Sequence, residues 1–173
     1  MAKAVICSNN CASGMTPWGT YLSGEENFAF YFDGGERRTP DQRRWGLPAR
    51  SGYRWGPHDP RFDATAHPNE FHRFGWVVEI NPFEPGSTPK KRTALGRFKH
   101  EGCTYALAED GRVVFYSGDD ERFDYVYKFV TAGRFDPNNR AANLDLLDAA
   151  GDEAKLLNFL RMERWLADRP HQP

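Results

Sequence analysis

The residues of this sequence that could do metal chemistry are one cysteine and several carboxylates, most of which stand at the ends of predicted strands. Carboxylate oxygens are the usual ligands of hard cations, whereas a thiolate suits a transition metal. Loops at strand ends could therefore present these groups together at one edge of a sheet. The candidate metal ligands are Cys11, Glu25, Glu26, Glu79, Glu101, Asp119, Asp120 and Glu121.

Glu79 differs from the other candidates because it lies inside the apolar run 76–80, where we expect it to be buried. A buried carboxylate is unfavourable unless it is paired or bound to a metal. Two alternatives are open for Glu79, a metal ion or a salt bridge to an arginine. The adjacent acids at 25–26 and 119–121 are typical of solvated turns unless a cation compensates their charge.

The cysteines and His100 have structural alternatives as well. Cys11 stands in a loop of small and polar residues and could bind a metal, but isolated cysteines are more often small buried hydrophobes. We expect Cys7 and Cys103 to be core residues. His100, next to Glu101, could act as an acid, a base or a ligand, although a hydrogen-bonded structural histidine is the favoured interpretation.

The strands that must position these residues are clearest between residues 96 and 130. Asp110-Gly111 separates two apolar-rich runs and is typical of a hairpin turn, and a third β-rich run follows at 122–130. This strand spacing suits one blade of a β-propeller. In the first part of the chain the pattern predicts a loop at 9–14 and strands at 16–22 and 74–80.

Two further segments have their own character. Residues 33–70 lack a regular period but contain many aromatics, which predicts a long ordered loop rather than disorder. Residues 152–167 contain helix formers and an apolar side, which predicts a C-terminal helix.

The composition excludes several classes of function. A chain of 173 residues suggests one domain or part of a larger one, and its net charge of −1 gives no case for nucleic acid or an anionic membrane. No run approaches the ~20 apolar residues that span a bilayer, and the N-terminus does not resemble a signal peptide. As written, the chain is therefore expected to be cytoplasmic. Serine-triad, P-loop and zincin motifs do not occur in the sequence.

Many ordered motifs resemble those of the PhoX-type alkaline phosphatases. The longest is Asn-Asn-Cys-Ala-Ser-Gly-Met-Thr-Pro-Trp-Gly-Thr at 9–20, and the resemblance covers roughly residues 5–148. The further matching segments are 24–27, 59–63, 68–70, 73–82, 91–98, 100–102 and 118–123.

The resemblance implies a β-propeller that hydrolyses phosphomonoesters, and in some members diesters, with a cluster of ferric and calcium ions. By the same resemblance, Cys11 corresponds to an iron-ligating cysteine. By this resemblance Glu79, Glu25, Glu26 and Glu101 correspond to metal carboxylates, and residues 119–121 resemble an acidic turn near the cluster. Full-length members of the family are exported to the periplasm or beyond.

The chain also departs from the family pattern. The family uses a later Arg-Pro-Glu-Asp stretch to hold phosphate and metal, and no such stretch occurs here. Arg97 and Arg122 are the nearest substitutes for phosphate binding, with salt bridging as their alternative role. The chain is therefore expected to be a fragment with little or no activity alone, or a non-catalytic binding module.

The fold expected for such a fragment is mainly β. It comprises a partial propeller of about two blades at 1–150, with the long ordered loop, and a divergent helical tail at 151–173. A propeller with too few blades exposes sheet edges, which favours self-association.

Overall fold

The computed structural model describes residues 7–149 and the strand at 157–161. Its described strands form two four-stranded sheets in which every neighbouring pair is antiparallel. The chain is thus mainly β, as predicted, and two sheets agree with the expectation of about two blades. No helix among the described residues combines the length and the apolar character needed to cross a membrane.

The first sheet has the order β1-β2-β3-β4 and the second the order β5-β6-β7-β8. The strands are β1 (Asn10–Met15), β2 (Tyr21–Glu25), β3 (Val77–Ile80), β4 (Lys90–Lys91), β5 (His100–Leu107), β6 (Arg112–Asp119), β7 (Tyr125–Arg134) and β8 (Leu157–Arg161). The described helices are α1 (Pro40–Arg44) and the short 3-10 helices Phe28–Tyr31, Pro60–Phe62, Phe71–Arg73, Thr93–Leu95 and Ala141–Asn143.

The start of the first sheet differs from the prediction. Residues 10–15 form β1 rather than a loop, and the predicted strand at 16–22 begins only at Tyr21. The intervening residues form a turn in which Thr16 N donates to Thr20 O at 3.0 Å and Gly19 adopts φ +85°. Glycine reaches this conformation readily, so the turn ends β1 and returns the chain as β2.

The predicted hairpin at Asp110-Gly111 is present between β5 and β6. Gly111 has φ +83°, and its N–H donates to Ala108 O at 2.9 Å. β7 follows on the other side of β6, in register with Phe115 opposite Phe129. The acidic segment between β6 and β7 therefore lies at the opposite end of the sheet from this hairpin.

The two sheets share one apolar core. It contains Trp18, Leu22 and Val77 from the first sheet and its turns, together with Phe115 and other residues of the second. β5 packs against β1 and β2, and glycine makes the close approach possible. A Cβ at Gly14 would lie 1.7 Å from Cys103 O, and one at Gly24 would lie 2.7 Å from His100 O.

The predicted long loop is ordered around an aromatic cluster of its own. Phe28, Phe32, Phe62, Phe71 and Phe74 are all buried in this second cluster, separate from the core between the sheets. Inside the loop, Thr39 and Gln42 form a capping box at the start of α1, whose first residue is Pro40. The loop is therefore a compact unit, which confirms the prediction of order.

The C-terminal helix is wrong for the part of 152–167 that the structure describes. Residues 157–161 form β8, which pairs with β7. The exposed edge of β7 offers a row of backbone partners, and an isolated helix of this length is marginal in water. Pairing with that edge therefore outweighs local helix propensity, while the rest of the predicted helix lies outside the described residues.

Candidate metal centre

Four strand ends meet at one edge of the two sheets. Asn10 at the start of β1 pairs with Glu25 at the end of β2, and His100 at the start of β5 pairs with Asp119 at the end of β6. The candidate ligands Cys11, Glu26, Glu101 and Asp120 each follow one of these four positions in the chain. The contact of β5 with β1 and β2 brings the two pairs of strand ends together.

Two of the candidate ligands lie at β-bulges. The register between β1 and β2 shifts between Asn10 and Ser13, around Cys11. The register between β5 and β6 shifts between Glu101 and Thr104, and Gly102 there has φ +81°. A bulge redirects a side chain away from the regular alternation of a strand, so the backbone irregularities explain why both groups face the shared edge.

The side chains of Cys11, Glu26 and Asp120 interact with one another. A hydrogen bond with Glu26, followed by desolvation and the charges of Glu26, Glu101 and Asp120, raises the pKa of the Cys11 thiol to about 11. Burial and the neighbouring Asp120 raise the pKa of Glu26, whose Oε1 also accepts from Asn27 Nδ2 at 2.7 Å. Glu26 is buried, whereas Cys11, Glu101 and Asp120 are exposed, so the cluster opens to solvent.

The negative charge of this cluster has no compensating side chain in the described part of the chain. None of the lysine and arginine ion pairs found there involves Glu26, Glu101 or Asp120. Within the same residues, no three His, Cys, Asp or Glu side chains are close enough to enclose a metal ion as they stand. In chemical kind, one thiol and three carboxylates without a cation fit a transition metal or calcium.

Glu79 is not part of the cluster. Its carboxylate is buried and accepts from Trp18 Nε1 at 3.0 Å, from Arg92 Nε at 2.6 Å and from the Thr20 hydroxyl. The salt-bridge alternative therefore describes Glu79 in this structure, because protein donors already satisfy its charge. The prediction that Glu79 is a metal ligand is therefore corrected to a buried salt bridge with Arg92.

Glu25 also has protein partners rather than the other candidate ligands. It is fully buried, and its two oxygens accept from Lys91 Nζ at 2.8 and 3.1 Å. Its backbone neighbour Glu26 turns toward Cys11 instead. Of the two adjacent glutamates, the structure thus brings only Glu26 to the cluster.

The three acidic side chains of the turn 119–121 have different surroundings. Asp119 is buried, and burial followed by the charge of Asp124 raises its pKa to about 6. Its Oδ2 has no hydrogen-bond partner among the described residues. Glu121 forms an ion pair with Lys99 at 2.5 Å, which leaves Asp120 as the member that reaches the cluster.

The two candidate phosphate-binding arginines differ in their surroundings. Arg97 donates to Phe74 O at 2.8 Å and Phe71 O at 3.1 Å, and its guanidinium lies 5.0 Å from the centre of the Trp45 ring. These contacts assign Arg97 to the aromatic loop rather than to phosphate, which corrects the candidate role. Arg122 is exposed beside the cluster-forming turn and remains a candidate.

The structural interpretations of His100 and Cys103 agree with the structure. Both residues are buried, and the His100 ring is hydrogen-bonded at both nitrogens. Sequence reasoning missed Asn27 and Lys91, which bind Glu26 and Glu25. Asn27 is adjacent in sequence and could have been found as a polar neighbour, whereas no spacing signal links Lys91 to Glu25.

Comparisons with known proteins place this geometry in context. A family model described as alkaline phosphatase PhoX matches residues 3–163. The solved structure of Pseudomonas fluorescens PhoX in complex with vanadate, a transition state analogue, is similar at 53% identity and a TM-score of 0.78. That match covers 82% of this chain and 25% of the solved chain, so the chain spans about a quarter of its length.

A curated protein gives a much shorter match. The poly(3-hydroxyalkanoate) polymerase subunit PhaC of Synechocystis sp. (strain ATCC 27184 / PCC 6803 / Kazusa) is 69% identical over 29 residues. These residues are 17% of this chain and 8% of that protein, and so short a match indicates neither a shared fold nor a shared activity.

Proposed function

The chain belongs to the PhoX family of alkaline phosphatases, and on this premise we propose that its strand-end cluster is part of a metal-dependent site for phosphate esters. The observation that carries the proposal is the meeting of Cys11 with Glu26, Glu101 and Asp120 without a compensating lysine or arginine in the described chain. Uncompensated carboxylates around a thiol are stabilised by a bound cation.

Each side chain would have its own part in holding ferric and calcium ions. Cys11 would supply the soft ligand for iron, and Glu26, Glu101 and Asp120 would supply oxygen ligands. Asn27 holds Glu26 by a hydrogen bond to Oε1 at 2.7 Å, which fixes the orientation of this carboxylate. When bound, the cations would supply positive charge to phosphate oxygens and to the charge that develops during ester cleavage.

The related structure supports phosphate chemistry because its PhoX is bound to vanadate as a transition state analogue. In this chain, however, Arg97 donates its hydrogen bonds to carbonyls of the aromatic loop. Among the described residues, Arg122 is the remaining candidate for phosphate binding. Loss of one such electrostatic contact typically lowers a rate by ~10²–10³. We therefore propose metal binding with little or no turnover by residues 1–173 alone.

Elemental analysis and absorbance spectroscopy of the reconstituted chain test the metal proposal. The metal-free protein is incubated with Fe(III) and Ca²⁺, desalted and analysed. We expect bound iron and a visible thiolate-to-iron charge-transfer band, both strongly reduced in Cys11→Ser. The matched control is Cys103→Ser, which should retain the band and lower stability by about 1–2 kcal/mol.

Equal iron content in Cys11→Ser and the parent would reject Cys11 as a ligand. A chromogenic phosphomonoester assay on the same samples tests the expected lack of turnover. Robust hydrolysis by the parent that disappears in Cys11→Ser would show that the cluster suffices for catalysis.

A further inference from the structure

Glu25 is fully buried next to the candidate ligand Glu26, yet its contacts are to structural groups. We propose that Glu25 is a positioning residue that sets the placement of Cys11 relative to Glu26. The inference rests on the proposed function, since it concerns the same cluster.

The carboxylate of Glu25 joins four segments of the chain. Its Oε1 accepts from Ser8 N at 3.3 Å and from Lys91 Nζ at 2.8 Å. Its Oε2 accepts from Gly75 N and Trp76 N, both at 3.1 Å. One side chain therefore connects the segment before β1, the end of β2, the turn before β3, and β4.

The Ser8 contact matters because it lies close to Cys11 in the chain. Glu26 N donates to Asn9 O at 3.1 Å, so Glu25 and Glu26 hold consecutive residues of the segment that leads to Cys11. The regular β1–β2 register then breaks between Asn10 and Ser13. No regular ladder crosses the bulge, so the contacts of Ser8 and Asn9, together with the pairing of Asn10 with Glu25, anchor the backbone directly before Cys11.

Lys91 lies on β4, at the edge of the first sheet opposite β1, and is the charged partner of Glu25. Its Nζ also donates to Arg73 O at 2.6 Å and lies 4.2 Å from the centre of the Phe74 ring. The charge of Glu25 is thus compensated within the protein, unlike that of Glu26. This difference separates a residue that positions the cluster from one that would hold the metal.

Glutamine cannot reproduce these contacts. Every named partner of Glu25 is a donor, so the amide NH₂ of a glutamine would face either Ser8 N or the two amides of the 75–76 turn. Glu25→Gln therefore loosens the attachment of one of these segments while keeping the side-chain volume. The matched control is Glu79→Gln, which removes another buried carboxylate of the same sheet from its pair with Arg92.

Ferric titrations followed at the charge-transfer band test the proposal, at a temperature where circular dichroism shows all variants folded. We expect Glu25→Gln to lower iron affinity roughly 10- to 100-fold and to shift the band. Glu79→Gln should lower the unfolding temperature and leave affinity and band unchanged. Parent-like affinity in Glu25→Gln, or equal losses in both variants, would overturn the positioning role.

Two additions keep the test decisive. If Glu25→Gln does not fold, the double variant Glu25→Gln/Lys91→Met also removes the partly buried ammonium that has lost its carboxylate partner, and it should show the same loss of affinity. In metal-free protein, the alkylation rate of Cys11, measured by mass spectrometry of its peptide, should change in Glu25→Gln and not in Glu79→Gln. If the parent binds no iron, the proposed function fails, whereas this alkylation comparison still decides whether Glu25 positions Cys11.

Discussion

His100 lies in the interior beside the exposed cluster, with its ring centre 3.7 Å from that of Phe98. Its Nδ1 is 2.9 Å from Ser117 Oγ and its Nε2 is 3.0 Å from Gly96 O. Burial lowers the pKa of His100 to about 4, and the Gly96 carbonyl opposes the shift. A neutral imidazole is therefore built into the second sheet.

His100 should make the metal-free protein sensitive to mild acid. Between pH 6.5 and about 4, the unfolded chain binds a proton that the folded chain excludes, so stability falls as the pH drops through this range. The expected loss is about 3 kcal/mol, from 1.36 kcal/mol for each pKa unit. Urea unfolding at pH 7 and pH 4.5 measures it. His100→Gln should be less stable at pH 7 with a flatter pH dependence, and equal slopes in both proteins would contradict the assignment.

At the scale of single residues, the sequence could name the chemical groups but not their partners. Cys11, Glu26, Glu101 and Asp120 are all candidates in the sequence, but so are Glu25 and Glu79, which the structure pairs with basic side chains instead. The difference comes from Lys91 and Arg92, which stand 66 and 13 residues away in sequence. Ion pairs of this kind depend on strand pairing, which a single sequence does not display.

The bulge in β5 shows how a local backbone feature serves the candidate site. Gly102 adopts φ +81° directly after Glu101, and a Cβ there would meet no atom within 4 Å. Any effect of a substitution therefore arises from backbone strain and not from a clash. Left-handed backbone costs a non-glycine residue about 1–2 kcal/mol.

We expect Gly102→Ala to act on stability and on metal binding through backbone strain alone. We expect a loss of about 1–2 kcal/mol in unfolding free energy, together with weaker iron binding, because relief of the strain turns Glu101 away from Cys11. Gly86→Ala is the control, since its Cβ also has open space and its φ is not positive. Unchanged stability and metal affinity in Gly102→Ala would mean that the bulge does not set the direction of Glu101.

At the scale of elements, the turn residues of a hairpin predict structure better than the helix or strand propensity of a segment does. Asp110-Gly111 correctly predicted a β-turn because the turn itself requires a positive φ. The helix predicted at 152–167 failed at 157–161 because the edge of β7 pairs with that segment. Local composition cannot reveal an available sheet edge, and the same limit explains the misplaced strand at 16–22.

At the scale of the whole molecule, two apolar clusters are joined by polar contacts. The core between the sheets and the aromatic cluster of the loop are separate. Arg97, in the segment directly before β5, is hydrogen-bonded to the loop at Phe74 O. Arg44 of α1 adds an ion pair with Asp124 at 2.7 Å, in the segment that follows Asp120. The loop thereby contacts the turn that carries one of the candidate ligands.

Arg97 should therefore control the order of the loop. Its guanidinium lies 5.1 Å from the ring centre of Phe28 and 5.0 Å from those of Trp45 and Phe71, while it donates to two backbone carbonyls. Arg97→Met leaves both carbonyls unpaired and removes the cation from the rings. Charge-assisted hydrogen bonds and cation–π contacts of this kind predict a loss of roughly 2–4 kcal/mol.

Limited proteolysis and vanadate binding together distinguish this structural role from phosphate binding. In Arg97→Met we expect faster cleavage within residues 28–74, with iron affinity preserved because Arg97 does not contact the cluster. Arg122→Met, at an exposed position, should leave the cleavage rate unchanged. If Arg97→Met instead resists the protease like the parent and loses vanadate binding to the metal-loaded chain, Arg97 holds the oxyanion. In that case the contacts of Arg97 with the loop aromatics do not maintain the order of the loop.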